Sequence, residues 1–235
     1  ASSRVVFTTH GVRRGLRASL PLWIGLLPFG LVTGVLADAK GLSLAEAVLM
    51  SALVYAGAAQ LLALDLWADP VPILAVIVAT LVVNIRMAPQ GAALAPWLDR
   101  LRGVKLWGTL ATLVDHSFAL SAQEQRAGGR DAGFLLGVGG GLWIAWVLST
   151  AIGHIAGAAV RLPPGHPLFF ASLAAFLSIL VGLWRGPRAA LAPRAVAGLV
   201  AVTAQRAGLP VPLPLLLGSL SGAVLGAWIE LRGRR

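Results

Sequence analysis

The chain has 235 residues, 57% of them apolar and only 12% charged, with a mean hydropathy of +0.83; a water-soluble domain of this size needs more polar surface, so soluble enzymes are excluded and a polytopic membrane protein is indicated. The formal charge of +10, from 19 Lys and Arg against 9 Asp and Glu, sits between and beside apolar runs without interleaved aromatics, which points to membrane topology and away from nucleic acid. There is no Cys, and His10, His116, His154 and His166 lack ligand spacing, so neither a metal nor another cofactor is expected.

In chain order, eight apolar segments are predicted as helices. The first, Gly15 to Ala37, has Arg13, Arg14 and Arg17 at its start. Ala37-Asp38-Ala39 imitates a signal-cleavage site, but the long run from Leu20 to Leu36, with Pro21 and Pro28 inside it, fits a retained first helix behind a cytoplasmic segment over residues 1–14. There follow Leu44 to Trp67, Val71 to Leu98, Val104 to Ser121, Ala132 to Val160, Pro167 to Trp184, Ala189 to Ala204 and Leu213 to Leu231, then a basic cytoplasmic tail over 232–235. None alternates polar and apolar residues as barrel strands do, and Gly and Pro within them are tolerated in membrane helices. The expected fold is a single all-α integral membrane domain over 1–235, with about six to eight transmembrane or re-entrant helices. GxxxG spacing at Gly30 and Gly34, at Gly153 and Gly157, and from Gly218 through Gly222 to Gly226 predicts close helix packing, in the last case either inside the chain or against a second subunit.

Lys and Arg distinguish two topologies. If all eight segments cross with the N-terminus inside, twelve lie inside, while Lys40, Arg100, Arg102, Lys105, Arg161 and Arg206 lie outside. If the second and fourth segments instead dip in and return, Arg100, Arg102 and Lys105 move inside, giving fifteen against three with Arg86 left in the membrane. The second arrangement obeys the positive-inside rule better. It predicts broken helices near residues 45–67 and 104–121 and puts both termini in the cytoplasm.

Those same two segments carry unusual polarity: Ser51, Tyr55, Gly57 and Gln60 in one, Thr109, Thr112, Asp115, His116 and Ser117 in the other. Irregular backbone at membrane depth persists only where it is buried or lines a cavity, so broken helices and polar side chains mark the expected site. Arg86 stands midway along the third segment, where a central Arg costs about 2.5–3.5 kcal/mol without a partner or water. It either snorkels from a helix ending near Pro89 or holds an anionic substrate group, since its fork matches a carboxylate; Gln90, four residues on, is within its reach. Asp115 is the acidic counterpart, able to bind a substrate ammonium, to carry a proton, or to pair with Arg86. His116 adds an imidazole suited to proton transfer near neutral pH, so Asp115 and His116 are the candidates for proton coupling. Ser51 and Gln60 either bridge helices or face the solute, and Gly57 favours close packing. Gly139-Gly140-Gly141 lacks the following Lys and Ser or Thr of a phosphate loop, so ATP drive is not expected.

Pro28-Phe29-Gly30, Gly41-Leu42-Ser43, and above all Leu49-Met50-Ser51-Ala52-Leu53-Val54-Tyr55-Ala56-Gly57-Ala58-Ala59-Gln60 resemble the AzlC family of branched-chain amino acid permeases. Asn84-Ile85-Arg86 corresponds to that family's Asn-Leu-Arg, Leu94-Ala95-Pro96 to the end of the same helix, and Asp115-His116-Ser117-Phe118-Ala119-Leu120 to its Asp-Glu-Thr/Ser-aromatic-Ala stretch. The resemblance covers nearly the whole chain. It implies export of branched-chain amino acids across the bacterial cytoplasmic membrane, with a small hydrophobic AzlD-type protein as second subunit. His116 stands where the family usually has Glu, and Met87 follows Arg86 where His is common.

The sequence therefore reads as a secondary transporter subunit, not an enzyme, moving a small zwitterionic, valine-like solute outward. Arg86 and Asn84 are the candidates for its carboxylate, and Asp115 with Gln60 and Ser51 for its ammonium. Tyr55 and Gly57 belong to the same expected binding region. The alternatives are a channel, which requires a continuous polar pore, an intramembrane enzyme with His116 and Asp115 as acid and base, which no nucleophile or metal set supports, and a structural subunit in which Arg86 and Asp115 form a silent pair.

Overall fold

The computed structural model describes residues 5–160, 187–209 and 213–233. The predicted segment Pro167 to Trp184, and His166, lie outside the described residues. Contacts divide the chain into two compact units, residues 1–65 with 83–172, and residues 66–82 with 173–235. The described helices are α1 (Thr9–Ala39), α2 (Leu44–Val54), α3 (Gly57–Asp65), α4 (Ile73–Asn84), α5 (Met87–Ala93), α6 (Ala95–Leu98), α7 (Gly103–Ala111), α8 (Asp115–Arg126), α9 (Gly133–Val160), α10 (Pro187–Arg206) and α11 (Leu213–Gly233). Thr9–Ala39, Gly133–Ala159 and the stretch Ile73–Ala93, which takes in α4 and α5, are long and apolar enough to cross a bilayer.

The first unit is built on a seam between α1 and α9. Glycine on one helix faces backbone on the other: a Cβ at Gly15 would strike the Phe134 carbonyl, one at Gly34 the Thr150 carbonyl, one at Gly137 the Val12 carbonyl and one at Gly153 the Leu31 carbonyl. Contacts advance together along both helices, so the two run parallel. Their starts are tied by an extended pairing, with Val6 N–H donating to Arg130 O and Ala132 N–H donating to Val6 O, both at 2.9 Å. Thr8 caps α1 by accepting from Gly11 N–H at 2.9 Å and is itself bonded to Asp131. The predicted GxxxG pairs at 30/34 and 153/157 are thus both spent inside the chain.

Two half-length hairpins flank this seam from opposite ends. Ser43 and Glu46 form a capping box that starts α2, as their Ser-x-x-Glu spacing requires. The helix stops after 11 residues, the chain turns at Tyr55-Ala56, and α3 runs 9 residues back. Eleven residues rise only about 16 Å, half of a hydrocarbon core of about 30 Å. The carbonyl of Asp65, at the end of α3, accepts from Lys40 Nζ at 3.4 Å, so α3 returns to the end of the seam at which α1 finishes. At the other end, α7 begins with Lys105 lying 5.3 Å over the ring of Phe7, and α8 finishes with Glu124 paired to Arg14. Both broken segments therefore re-enter, as their charge distribution predicts.

The third predicted segment differs from expectation. It is not one helix to Leu98 but breaks at Ile85-Arg86 and again at Leu94. Pro89 has no N–H to give the Ile85 carbonyl, and Pro96 none for Ala92; each proline sits in the first turn of the new helix, where that loss costs nothing. α6 ends against the start of α9, where Trp97 Nε1 donates to Gly129 O at 3.1 Å. α8 also runs past the predicted limit at Ser121 to Arg126.

In the second unit α10 and α11 pack antiparallel. A Cβ at Gly218 would meet the Ala197 carbonyl, and one at Gly222 would meet the Pro193 carbonyl and Ala197 Cβ. The small-residue stripe of the last helix is covered within the chain.

Candidate substrate site

The tips of the two hairpins converge on Gly139, in the first third of α9. Tyr55 takes the left-handed conformation (φ 43°, ψ 43°), which is strained by about 1–3 kcal/mol for a bulky residue, and is held there by burial and by its hydroxyl, which donates to Gly139 O at 3.0 Å. The second tip, Thr112-Leu113-Val114, lies against the same residue, its Thr112 backbone occupying the space that a side chain at Gly139 would fill. Ser117 fixes this tip: its hydroxyl accepts from Val114 N–H at 2.8 Å and lies 3.0 Å from Thr112 O. Asp115 follows as the first residue of α8, where its carboxylate faces the positive end of the helix dipole.

Asp115 is the centre of a polar cluster. Its Oδ2 lies 3.1 Å from Arg86 Nη2, and its Oδ1 accepts from Gln90 Nε2 at 2.7 Å. Arg86 sits in the break between α4 and α5, from which its guanidinium reaches Asp115. The cluster keeps spare capacity: Arg86 Nε, Gln90 Oε1 and Asn84 Oδ1 are buried without a partner. Unsatisfied buried donors and acceptors are uncommon in native proteins, and here three gather within seven residues around one ion pair.

Beside the cluster lies a cavity of about 810 Å³, with Asn84, Met87, Tyr55 and Leu113 among its walls. Leu98, Leu106 and Leu110 make it largely apolar, and exposed Asp99 and Arg102 stand at the end where α7 begins. Its leucine walls suit an aliphatic side chain, and the flanking cluster suits a zwitterionic head.

The other expected site residues lie elsewhere. Ser51 and Gln60 are buried and fully engaged: Gln60 Nε2 donates to Ser51 Oγ at 2.9 Å, Ser51 Oγ to Thr150 Oγ1 at 3.0 Å, and Trp146 Nε1 to Gln60 Oε1 at 2.9 Å. They pin α2 and α3 to each other and to α9. Gly57 belongs to the same contact, since a Cβ there would meet the Trp146 ring. His116 is exposed on α8, one position round from Asp115. The structure thus pairs Arg86 with Asp115, adds Gln90 as a second partner of Asp115, places Asn84 and Tyr55 in the wall of the neighbouring cavity, and leaves Ser51, Gln60 and Gly57 in a separate packing network. Gly139 was legible only as part of a glycine run.

The AzlC protein family model matches residues 21–160. An uncharacterized membrane protein of Archaeoglobus fulgidus is 31% identical over 224 residues, covering 92% of this chain and 94% of that protein. Inner membrane protein YgaZ of Escherichia coli K12 is 25% identical over 220 residues, 89% of this chain and 87% of its own length. An uncharacterized membrane protein of Haemophilus influenzae is 29% identical over 150 residues, 63% of this chain and 62% of its own. No solved structure matches.

Proposed function

Since the chain belongs to the AzlC family, a family of membrane transport, we propose that it is the large subunit of a secondary transporter that exports branched-chain or similar small aliphatic amino acids across the cytoplasmic membrane, with a small AzlD-type hydrophobic protein as companion. Both termini face the cytoplasm in this reading, as the Lys and Arg distribution supports.

The observation that carries the proposal is the Arg86–Asp115–Gln90 cluster with its unpartnered acceptors and donor, set beside a leucine-lined cavity. Without solute, each charge is satisfied by the other. An amino acid offers Arg86 a carboxylate and Asp115 an ammonium, so the pair opens with neither charge left bare. A plain carboxylic acid or amine would satisfy one partner and leave the charge of the other uncompensated. The pair thereby selects zwitterions, Arg86 Nε and Asn84 Oδ1 supply further bonds, and the cavity receives the side chain. No ATP is required.

The test is counterflow in proteoliposomes holding this chain with its companion. Labelled valine should accumulate against unlabelled valine inside, saturably, and isovalerate or isobutylamine should not compete. Uptake that is linear in concentration and free of counterflow would mark a channel and overturn the carrier reading.

A further inference from the structure

Gly139 takes no part in the binding chemistry, yet both hairpin tips rest on it. From one side the Tyr55 hydroxyl donates to its carbonyl at 3.0 Å. From the other the Thr112 backbone and Cβ fill the place of its missing side chain. The first contact carries a wall of the cavity, and the second lies three residues before the carboxylate of the charge pair. The first hairpin is also held to α9 by the Ser51–Gln60 network and by Trp143 Nε1, which donates to Ala52 O at 2.9 Å, but only at the tips do the two hairpins share a contact. Here the two tips touch the same residue.

We infer that Gly139 is a positioning residue, the common seat through which the Tyr55 wall and the Asp115 end of the charge pair are set relative to each other and shift together. A displacement of either tip changes the space the other occupies, because close-packed interiors transmit strain instead of absorbing it. The helix carbonyl accepts from a residue whose backbone is already in the strained left-handed conformation, which makes the Tyr55 bond the more releasable of the two contacts. When solute opens the Arg86–Asp115 pair, the movement reaches the first hairpin through Gly139. This last step rests on the transport reading; the seat itself does not.

The native chain has no Cys, so Leu113→Cys, on the second tip and lining the cavity, reports that tip by its rate of maleimide labelling in the full reconstituted chain, and Gly139→Ala, which leaves Tyr55 in place, separates passage through Gly139 from the cavity the two tips share. Tyr55→Phe removes only a hydroxyl on the first tip. The labelling rate at position 113 should then change by more than about twofold, and valine counterflow should lose maximal rate while its half-saturating concentration stays within about twofold. Gly139→Ala, whose Cβ drives into Thr112 O, should change the labelling in the same way, and Tyr55→Phe serves if that variant does not fold. A labelling rate within about twofold of the parent in Tyr55→Phe overturns the shared seat, and so does loss of counterflow that is fully matched by a fall in the amount of folded protein. Coupled labelling in a parent protein that shows no valine counterflow keeps the seat and refutes the transport reading; counterflow with uncoupled labelling does the reverse.

Discussion

Replacing Arg86 by Lys separates the stability of the charge pair from its use. Arg86 Nη2 is 3.1 Å from Asp115 Oδ2, and the two side chains are 36% and 34% exposed. A pair this accessible to solvent contributes no more than about 1 kcal/mol to the fold. Lys keeps the positive charge, and Gln90 remains 2.7 Å from the other carboxylate oxygen, so Asp115 is never left bare. Thermal unfolding of Arg86→Lys should therefore shift by less than about 4 °C. Substrate binding responds differently, because the planar fork, including the unpartnered Nε, is what matches a carboxylate, and an ammonium replaces two aligned donors with one point charge. Loss of one charge-assisted bond is worth about 1.5–3 kcal/mol, or about ten- to 150-fold in Kd. Isothermal titration of valine into the purified complex measures the affinity, and a melting curve on the same sample measures the fold. A Kd within about twofold of the parent, with the melting point unchanged, would refute the argument and leave Arg86 as a structural cation.

Gln60→Leu should lower stability by about 1–3 kcal/mol, because the buried Trp146 Nε1 loses its acceptor and Ser51 loses a donor, while valine affinity changes little; an unchanged melting point with abolished binding would make Gln60 a ligand instead. Single Cys replacements test the hairpins: Asp65→Cys should label from outside intact cells and Val104→Cys only after permeabilisation, and the reverse pattern would sink the re-entrant topology. Val104 is the better probe than its neighbour, since Gly103 has φ +57° and resists a side chain. Gly222→Leu should destabilise the isolated chain by about 1–3 kcal/mol through overpacking against Pro193 and Ala197 and still co-purify with the companion; loss of the companion at an unchanged melting point would move the subunit interface onto this stripe.

The hairpins were legible because two independent signals coincide on them: the placement of Arg100, Arg102 and Lys105, and polar residues gathered in otherwise apolar segments. The pairing of Arg86 with Asp115 was legible as one of three uses for a lone membrane carboxylate. The break at Ile85-Arg86 was not read, although Pro89 announces it: a proline marks the carbonyl four residues earlier, and that carbonyl, not the proline, is where the helix opens. The α1–α9 seam was read only in part. Gly11 with Gly15, and Gly133 with Gly137 and Gly141, repeat the same four-residue spacing as Gly30 with Gly34, yet spacing names a small-residue face without naming the helix that covers it. The role of Gln60 was out of reach for a similar reason. Its partner Trp146 lies 86 residues away, and no local pattern ties an amide to a distant indole.

The parallel seam also imposes an order in time. α1 is complete at Ala39, but the helix that covers its glycine face begins at Gly133. At ordinary rates of synthesis the ribosome needs on the order of 5 to 20 seconds to make the chain between them. Throughout that interval the nascent first span waits without its mate, and Ser51 and Gln60 enter the membrane before Trp146 and Thr150 exist to receive them. This unit therefore cannot mature span by span as it leaves the ribosome. It must be held loosely, by the insertion machinery or by lipid, until α9 arrives and closes the seam and the first hairpin together.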